Sequence, residues 1–255
     1  MHSYKTIVVL PTYNELDNLP KIITDLLALP IIDLEILIVD DNSPDGTGIL
    51  GDQLALTHPN KIHVLHRSSK EGLGRAYIAG FKWALLLDAD YIIQMDADLS
   101  HQPTYIPAMI TLASESDLVI GSRYVSGGSV DKNWNIMRKL LSWFANTVYL
   151  PSVLAFPIKD ATGGYRLWRR ETLIGVDLER SQSNGYIFQT EMADVTYRLG
   201  YKIAEVPIHF LDRTEGKSKM DFKIQIEAAF RVWHVRSHYH ILKPEARRLT
   251  NYVTP

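Results

Sequence analysis

The chain of 255 residues contains no cysteine. That excludes disulfides and thiolate metal sites, and it fits a reducing compartment. It also lacks an excess of either charge: 27 Lys and Arg stand against 29 Asp and Glu, for a formal net charge of -2. No overall basic field exists to hold a polyanion, so nucleic acid is not an expected partner. The opening Met-His-Ser-Tyr-Lys leads straight into a strand pattern. It lacks the charged region, apolar stretch and cleavage site of a secretory leader. Internal repeats and low-complexity linkers are missing too. What is present is an ordinary globular composition, 46% hydrophobic and 22% charged, in a chain long enough for one large α/β domain.

One segment complicates that picture. Residues 140–158 are almost wholly apolar and about as long as a bilayer is thick. Ser142, Asn146 and Ser152 interrupt the run, and Pro151 and Pro157 break a spanning helix near its end. The segment reads as a helix buried in the core or lying at a membrane surface.

The first half alternates strand and helix patterns. Short β-branched or apolar runs at 6–10, 35–39, 62–65, 91–95 and 118–120 read as strands. Helical patterns at 15–29, 45–56 and 72–87, and another starting at Pro103, lie between and after them. In the first, Leu16, Leu19, Ile22, Ile23, Leu26 and Leu27 share a face. Such alternation implies a largely parallel sheet with right-handed crossovers. The second half is less regular: helical patterns at 135–153 and 188–199, strands at 164–168 and 203–206, and an amphipathic helix at 221–236. We expect a catalytic domain over residues 1–213, followed over 214–255 by a mobile basic loop and a C-terminal amphipathic helix and tail.

Polar clusters gather where the strands end. Pro11-Thr12-Tyr13-Asn14-Glu15 follows the first strand, Asp40-Asp41-Asn42-Ser43 the second, His66-Arg67 the third and Asp96-Ala97-Asp98 the fourth. Open α/β sheets bind ligands at the carboxyl ends of their parallel strands. Two carboxylates one residue apart repel, and burying either is costly unless a cation compensates. A hard divalent ion holding a diphosphate is the natural compensation. Asp41 is placed to accept hydrogen bonds from a base or ribose, while Ser43 or Asp45 reads as a helix cap. Gly72-Leu73-Gly74 only begins a dinucleotide fingerprint, and its glycines read as a close backbone approach.

The order of these motifs, with Gly121-Ser-Arg-Tyr124, resembles the family 2 glycosyltransferases. The segments 160–166, 185–191 and 212–219 narrow the resemblance to the dolichol-phosphate (polyprenol-phosphate) mannose synthases. It runs from about Ile7 to Lys219. It implies a Rossmann-like, GT-A type α/β fold, a mostly parallel sheet flanked by helices. The implied donor is GDP-mannose and the implied acceptor a dolichyl or polyprenyl phosphate. Pro11, Tyr13, Glu15, Val39 and Asp41 would contact the nucleotide, Asp96 and Ala97 would lie against the donor, and Asp98 would ligate Mg²⁺ or Mn²⁺. Where some members carry a glutamine as a further metal ligand, this chain has Ser100. Arg123, Arg138, Arg213 and Lys219 match basic residues that hold phosphates.

A lipid phosphate is already anionic near neutral pH, so its attack on a sugar carbon needs no strong general base. The task is to hold two anions close together, for which arginine forks and a metal suffice. We expect one displacement with inversion, through Asp96, Asp98, Arg123 and Arg213. Transfer of glucose from UDP-glucose, or a non-catalytic nucleotide-sugar-binding subunit, are the alternatives. Gln189 and Glu191 would order the acceptor loop or cap the helix there. Arg138 would bind phosphate or anchor its helix at headgroups. His234, His238 and His240 read as a solvated cluster.

The aromatic run 140–149 and Phe222, Ile226, Phe230 and Trp233, flanked by Arg231 and Arg236, suit peripheral docking on the cytoplasmic face of a membrane. The same residues could instead form the core between two helices. A separate membrane subunit is a further candidate partner.

Overall fold

A computed structural model of the chain describes residues 4–183, 185, 187–212 and 222–249, with the backbone alone over 222–228. The first strand, β1 (Thr6–Thr12), is buried along nearly its whole length. It is followed by α1 (Leu19–Leu27), which buries Leu19, Ile22, Ile23 and Leu26, each worth about 1.5–3 kcal/mol once removed from water. The helix starts later than its pattern suggests, with Pro20 in its first turn, and Leu16 stays exposed. Then come β2 (Leu34–Asp40), α2 (Thr47–Thr57), β3 (Ile62–His66), α3 (Leu73–Leu86) and β4 (Tyr91–Gln94). A 3₁₀ turn at Pro103–Tyr105 opens α4 (Ile106–Ala113), and β5 (Leu118–Ser122) and the short β6 (Ser129–Val130) follow.

The pattern at 135–153 becomes one continuous rod of three parts: α5 (Ile136–Phe144), a π-helical segment Ala145–Tyr149 and α6 (Leu150–Leu154). The remainder is β7 (Arg166–Arg169), α7 (Arg170–Val176), α8 (Ile187–Arg198), β8 (Ile203–Pro207), β9 (His209–Phe210) and α9 (Phe222–Tyr239).

Seven strands form one sheet in the order β3-β2-β1-β4-β7-β5-β8. All neighbours are parallel except β7, which runs antiparallel to both β4 and β5. The strand expected at 164–168 is therefore present but reversed, because the chain enters it from the far end after the rod. Two apolar layers cover the sheet. One packs α3, α6, α7, α8 and the end of α9 on one face, and the other packs α1 and α4 on the opposite face. Val232, Val235 and Tyr239 of α9 belong to the first layer.

The rod divides by part. Leu150, Val153 and Leu154 of α6 are buried, whereas α5 buries no residue. Ile136, Met137, Leu140, Leu141, Trp143 and Phe144 all face outward. The core alternative thus holds for α6 and fails for α5. No described helix is long and apolar enough to cross a membrane.

Candidate active site

The strand order reverses between β1 and β4, and the polar clusters sit at that switch point. Beyond the end of β4, Asp96 is held from two sides. Its Oδ1 accepts the hydroxyl of Tyr77 from α3 at 2.7 Å. Its backbone N–H donates to His101 Nδ1 at 3.0 Å, so the imidazole carries its proton on Nε2. His101 is buried, stacked on Tyr165 with ring centroids 4.9 Å apart. Burial pushes its pKa below 6.5, against the opposing pull of Asp96 and Asp98; the ring is a neutral strut. Burial, then the charge of Asp96, drives the Tyr77 phenol well above its ordinary pKa, so it stays a donor.

Three residues after Asp96, Leu99 takes a left-handed conformation with φ 64°. This turn lets Ser100 donate to Asp98 Oδ1 twice, from its N–H at 3.1 Å and its hydroxyl at 2.5 Å. Ala97 is buried between the two acids. Asp98, Ser100 and Asp96 therefore form an all-oxygen corner, the donor chemistry that Mg²⁺ and Mn²⁺ prefer. No cluster of three acidic, histidine or cysteine side chains able to hold a metal occurs among the described residues. The corner fits an ion that takes the rest of its ligands from a diphosphate and water.

The side of the switch point where β1 and β2 end is built around Asp40. Its carboxylate accepts from Thr12 Oγ1 at 3.2 Å, Ser43 Oγ at 2.6 Å and Ser43 N–H at 3.1 Å. Ser43 Oγ in turn accepts from the Asn14 N–H at 3.1 Å. The N-cap of α2 is Gly46, in the left-handed region with φ 95°, rather than Ser43 or Asp45; Asp45 instead accepts the Thr47 N–H at 3.0 Å and the Leu16 N–H at 3.3 Å. The loops after β1 and β2 are thus sewn together, with Pro11, Tyr13 and Glu15 on one and Asp41 on the other. Asp41 is ion-paired with Arg67. Burial raises its pKa, and Arg67 opposes that rise. The Val39 side chain is buried in the core, so only its backbone is available to a ligand. Lys70 lies 3.5 Å from the centre of the Tyr13 ring.

The basic residues behave differently from one another. Arg123 is 9% exposed and forms a bidentate pair with the fully buried Asp160, at 2.8 Å from Nε and 2.6 Å from Nη2. Burial opposes its charge, and Asp160 more than offsets that, leaving the pKa above the usual arginine value. Its Nε and Nη2 are held by Asp160 and Thr162, which fixes the guanidinium in place. Arg138 is half-exposed, 3.6 Å from the centre of the Trp134 ring, and donates to Asp212 Oδ1 at 3.0 Å. Arg213 and Lys219 lie outside the described residues.

The Asp160 loop joins the rod to the site. Arg123 Nη2 donates to Thr162 Oγ1 at 2.7 Å, as does Asn146 Nδ2 at 2.9 Å from the π-helical segment. Thr162 N–H returns a bond to Asn146 Oδ1 at 3.1 Å. Below it, Arg166 is buried and donates to the carbonyls of Gly163 and Ala161 at 3.0 and 2.8 Å; burial pushes its pKa down to about 9. Glu191 is also buried. It accepts from the Ser181 hydroxyl, the N–H groups of Gln182 and Ser183, and the Tyr239 hydroxyl at 2.6 Å. It therefore ties the loop before α8 to α9. Gln189, two residues earlier, accepts from Gln94 Nε2 at 2.6 Å. His234 and His238 stack on the surface, with centroids 6.0 Å apart.

Sequence reasoning passed over Tyr77, His101, Asp40 and Asp160. Each stands inside or beside a quoted motif, but nothing along the chain says which distant group it meets. Gly74 does match the expected close approach, since a Cβ there would lie 3.0 Å from the Phe188 ring and 3.1 Å from the Ser183 carbonyl.

Comparison with known proteins agrees with this architecture. The family model described as "Glycosyl transferase family 2" matches residues 7–175. An undecaprenyl-phosphate mannosyltransferase of Micrococcus luteus is 44% identical, covering 94% of this chain and 98% of its own. A polyprenol monophosphomannose synthase of Mycolicibacterium smegmatis is 46% identical, covering 91% of this chain and 88% of its own. Among solved structures, the mannosyl-3-phosphoglycerate synthase of Rubrobacter xylanophilus has TM-score 0.67 at 21% identity, covering 99% of this chain and 79% of that one. The glucosyl-3-phosphoglycerate synthase of Mycobacterium tuberculosis, bound to Mn²⁺, UDP-glucose and phosphoglyceric acid, has TM-score 0.65 at 18% identity, covering 93% of this chain and 80% of that one. At such identities the two structures attest the fold alone. The switch-point acids, the glycosyltransferase architecture and the family match over 7–175 together establish that this chain belongs to glycosyltransferase family 2.

Proposed function

We propose that the protein transfers mannose from GDP-mannose to a dolichyl or polyprenyl phosphate, giving polyprenyl-phosphate mannose and GDP. The observation that carries the reading is a juxtaposition. An oxygen-rich acidic corner stands at the switch point, and an exposed aromatic helix leads into a segment stapled through Asn146 and Thr162 to the loop that borders the corner at Gly164. The first suits a nucleotide diphosphate and the second a lipid acceptor. The names of the two curated relatives supply the sugar and the lipid.

In this reading an acceptor phosphate oxygen attacks the anomeric carbon from the face opposite the diphosphate. The new C–O bond forms as the bond to GDP breaks, and no proton need move. Tyr77 and His101 hold Asp96 rigid, so its second oxygen can orient the donor. Asp98 and the Ser100 hydroxyl would hold Mg²⁺ or Mn²⁺, which when bound supplies charge neutralisation to the departing diphosphate. Arg138, with Arg213 and Lys219, would receive the acceptor phosphate. Arg123 also fixes the Asp160 loop. Leu140, Leu141, Trp143, Phe144, Phe230 and Trp233 would seat the protein at a bilayer interface on the cytoplasmic side.

The test is a panel of labelled nucleotide sugars with a short polyprenyl phosphate and Mg²⁺ or Mn²⁺. Transfer from GDP-mannose above all others is expected. Preference for UDP-glucose would overturn the donor assignment, and binding without any transfer would point to a non-catalytic subunit.

A further inference from the structure

The acidic corner has a second wall, and three side chains from three elements fix its polarity. Trp168 on β7 donates its indole N–H to Gln94 Oε1 at 3.1 Å. An indole nitrogen only donates, so Gln94 must present its oxygen there and its amide N–H to the next group. That group is Gln189 on α8, whose Oε1 accepts at 2.6 Å. The relay leaves the Gln189 NH₂ pointing onward. Gln189 is 4% exposed, and its Nε2 has no hydrogen-bond partner in the structure. An unmet buried donor is costly, so native proteins rarely keep one without a use.

The opening it faces lies over Gly164. A Cβ there would sit 3.6 Å from Gln189 Nε2, 3.5 Å from Asp96 Oδ2 and 3.5 Å from His101 Cε1. The missing side chain leaves a space bordered by an amide donor and a carboxylate acceptor. Asp96 Oδ1 is already engaged by Tyr77, which leaves Oδ2 for a ligand. A group that both donates and accepts, a hydroxyl, matches that pair.

We propose that Gln189, oriented by the Trp168–Gln94 relay, and Asp96 together grip one hydroxyl of the transferred hexose in the opening above Gly164. This deepens the donor reading given above and rests on it. The relay makes discrimination depend on groups far from the sugar. A donor lacking that hydroxyl leaves two buried polar groups unmet and is rejected, whereas a merely apolar wall would tolerate it.

Two variants separate this role from a structural one. Gly164→Ala places its methyl at ordinary contact distances, so the protein folds while the opening is filled. Gln189→Glu keeps the oxygen that accepts from Gln94 and replaces the NH₂ by an acceptor facing Asp96. Titration calorimetry with GDP and with GDP-mannose, alongside thermal unfolding, reads both. Each variant is expected to bind GDP-mannose about tenfold more weakly while binding GDP as the wild type does. In a series of deoxymannose nucleotides, one member should lose about tenfold against the wild type and nothing further against Gly164→Ala. Unchanged GDP-mannose binding in both variants, or equal losses for GDP and GDP-mannose, overturns the proposal. A wild type that binds no mannose nucleotide overturns the functional reading itself; one that transfers mannose no better than these variants do overturns the role of Gln189 alone.

Discussion

Asp98 and Asp160 show how differently two buried acids can act. Asp98 closes a three-residue turn and faces the donor corner, so Asp98→Ala is expected to leave the fold intact and lower kcat by about a thousandfold or more. A folded variant with near-normal turnover would contradict the metal assignment. Asp160 has a structural partner instead. Asp160→Ala strands the buried Arg123 fork, and a loss of about 3–5 kcal/mol in denaturant unfolding is expected. His101 adds a pH signature. Its folded pKa lies below the ordinary 6.5, so below pH 6.5 the unfolded chain takes up a proton that the folded chain refuses. Stability must then fall on acidification through that window, by at most about 1.4 kcal/mol per pH unit for this one group. His101→Asn keeps an acceptor for the Asp96 N–H, and its unfolding midpoint should drop less than the wild type's between pH 7.5 and 5.5. At this scale the sequence revealed like charges crowded at a strand end, because that pattern is local. It did not reveal that Arg123 is closed on a carboxylate 37 residues away, nor that Gln189 takes its polarity from Gln94, 95 residues away.

Among the elements, the rod is the one whose period misleads. An apolar helical face looks the same whether it meets a core or faces outward, and residues 136–154 do both in turn: α5 buries no residue, whereas α6 buries Leu150, Val153 and Leu154. The change falls at the π-helical segment, a departure often found at functional sites. There the inward Asn146 grips Thr162 while α5 faces outward. Trp143 and Trp233 are 50% and 56% exposed, so charging them removes little packing. The double variant Trp143→Asp, Trp233→Asp is expected to keep its melting temperature and lose co-sedimentation with anionic liposomes. A folded variant that still sediments with them rules out these helices as the docking surface. The other elements were mostly legible, since buried parallel strands read as continuous apolar runs. The reversal of β7 was not, because direction depends on where the preceding rod delivers the chain.

The whole molecule reconciles a near-neutral charge with a substrate pair that is strongly anionic. Its net charge of -2 gives no long-range attraction, so anion binding must be local, at the switch point where β1, β2 and β4 end. In the proposed function the donor side would be the acidic, pre-braced corner, and the acceptor would arrive over the exposed apolar helix α5. That arrangement would hold the two anions on opposite sides of the sugar, the requirement of a single displacement. The anomeric configuration of the product tests this directly. Proton NMR of polyprenyl mannosyl phosphate made from GDP-α-D-mannose should show the β-linked sugar. An α-linked product, or donor binding with no mannosyl lipid formed, would contradict the account.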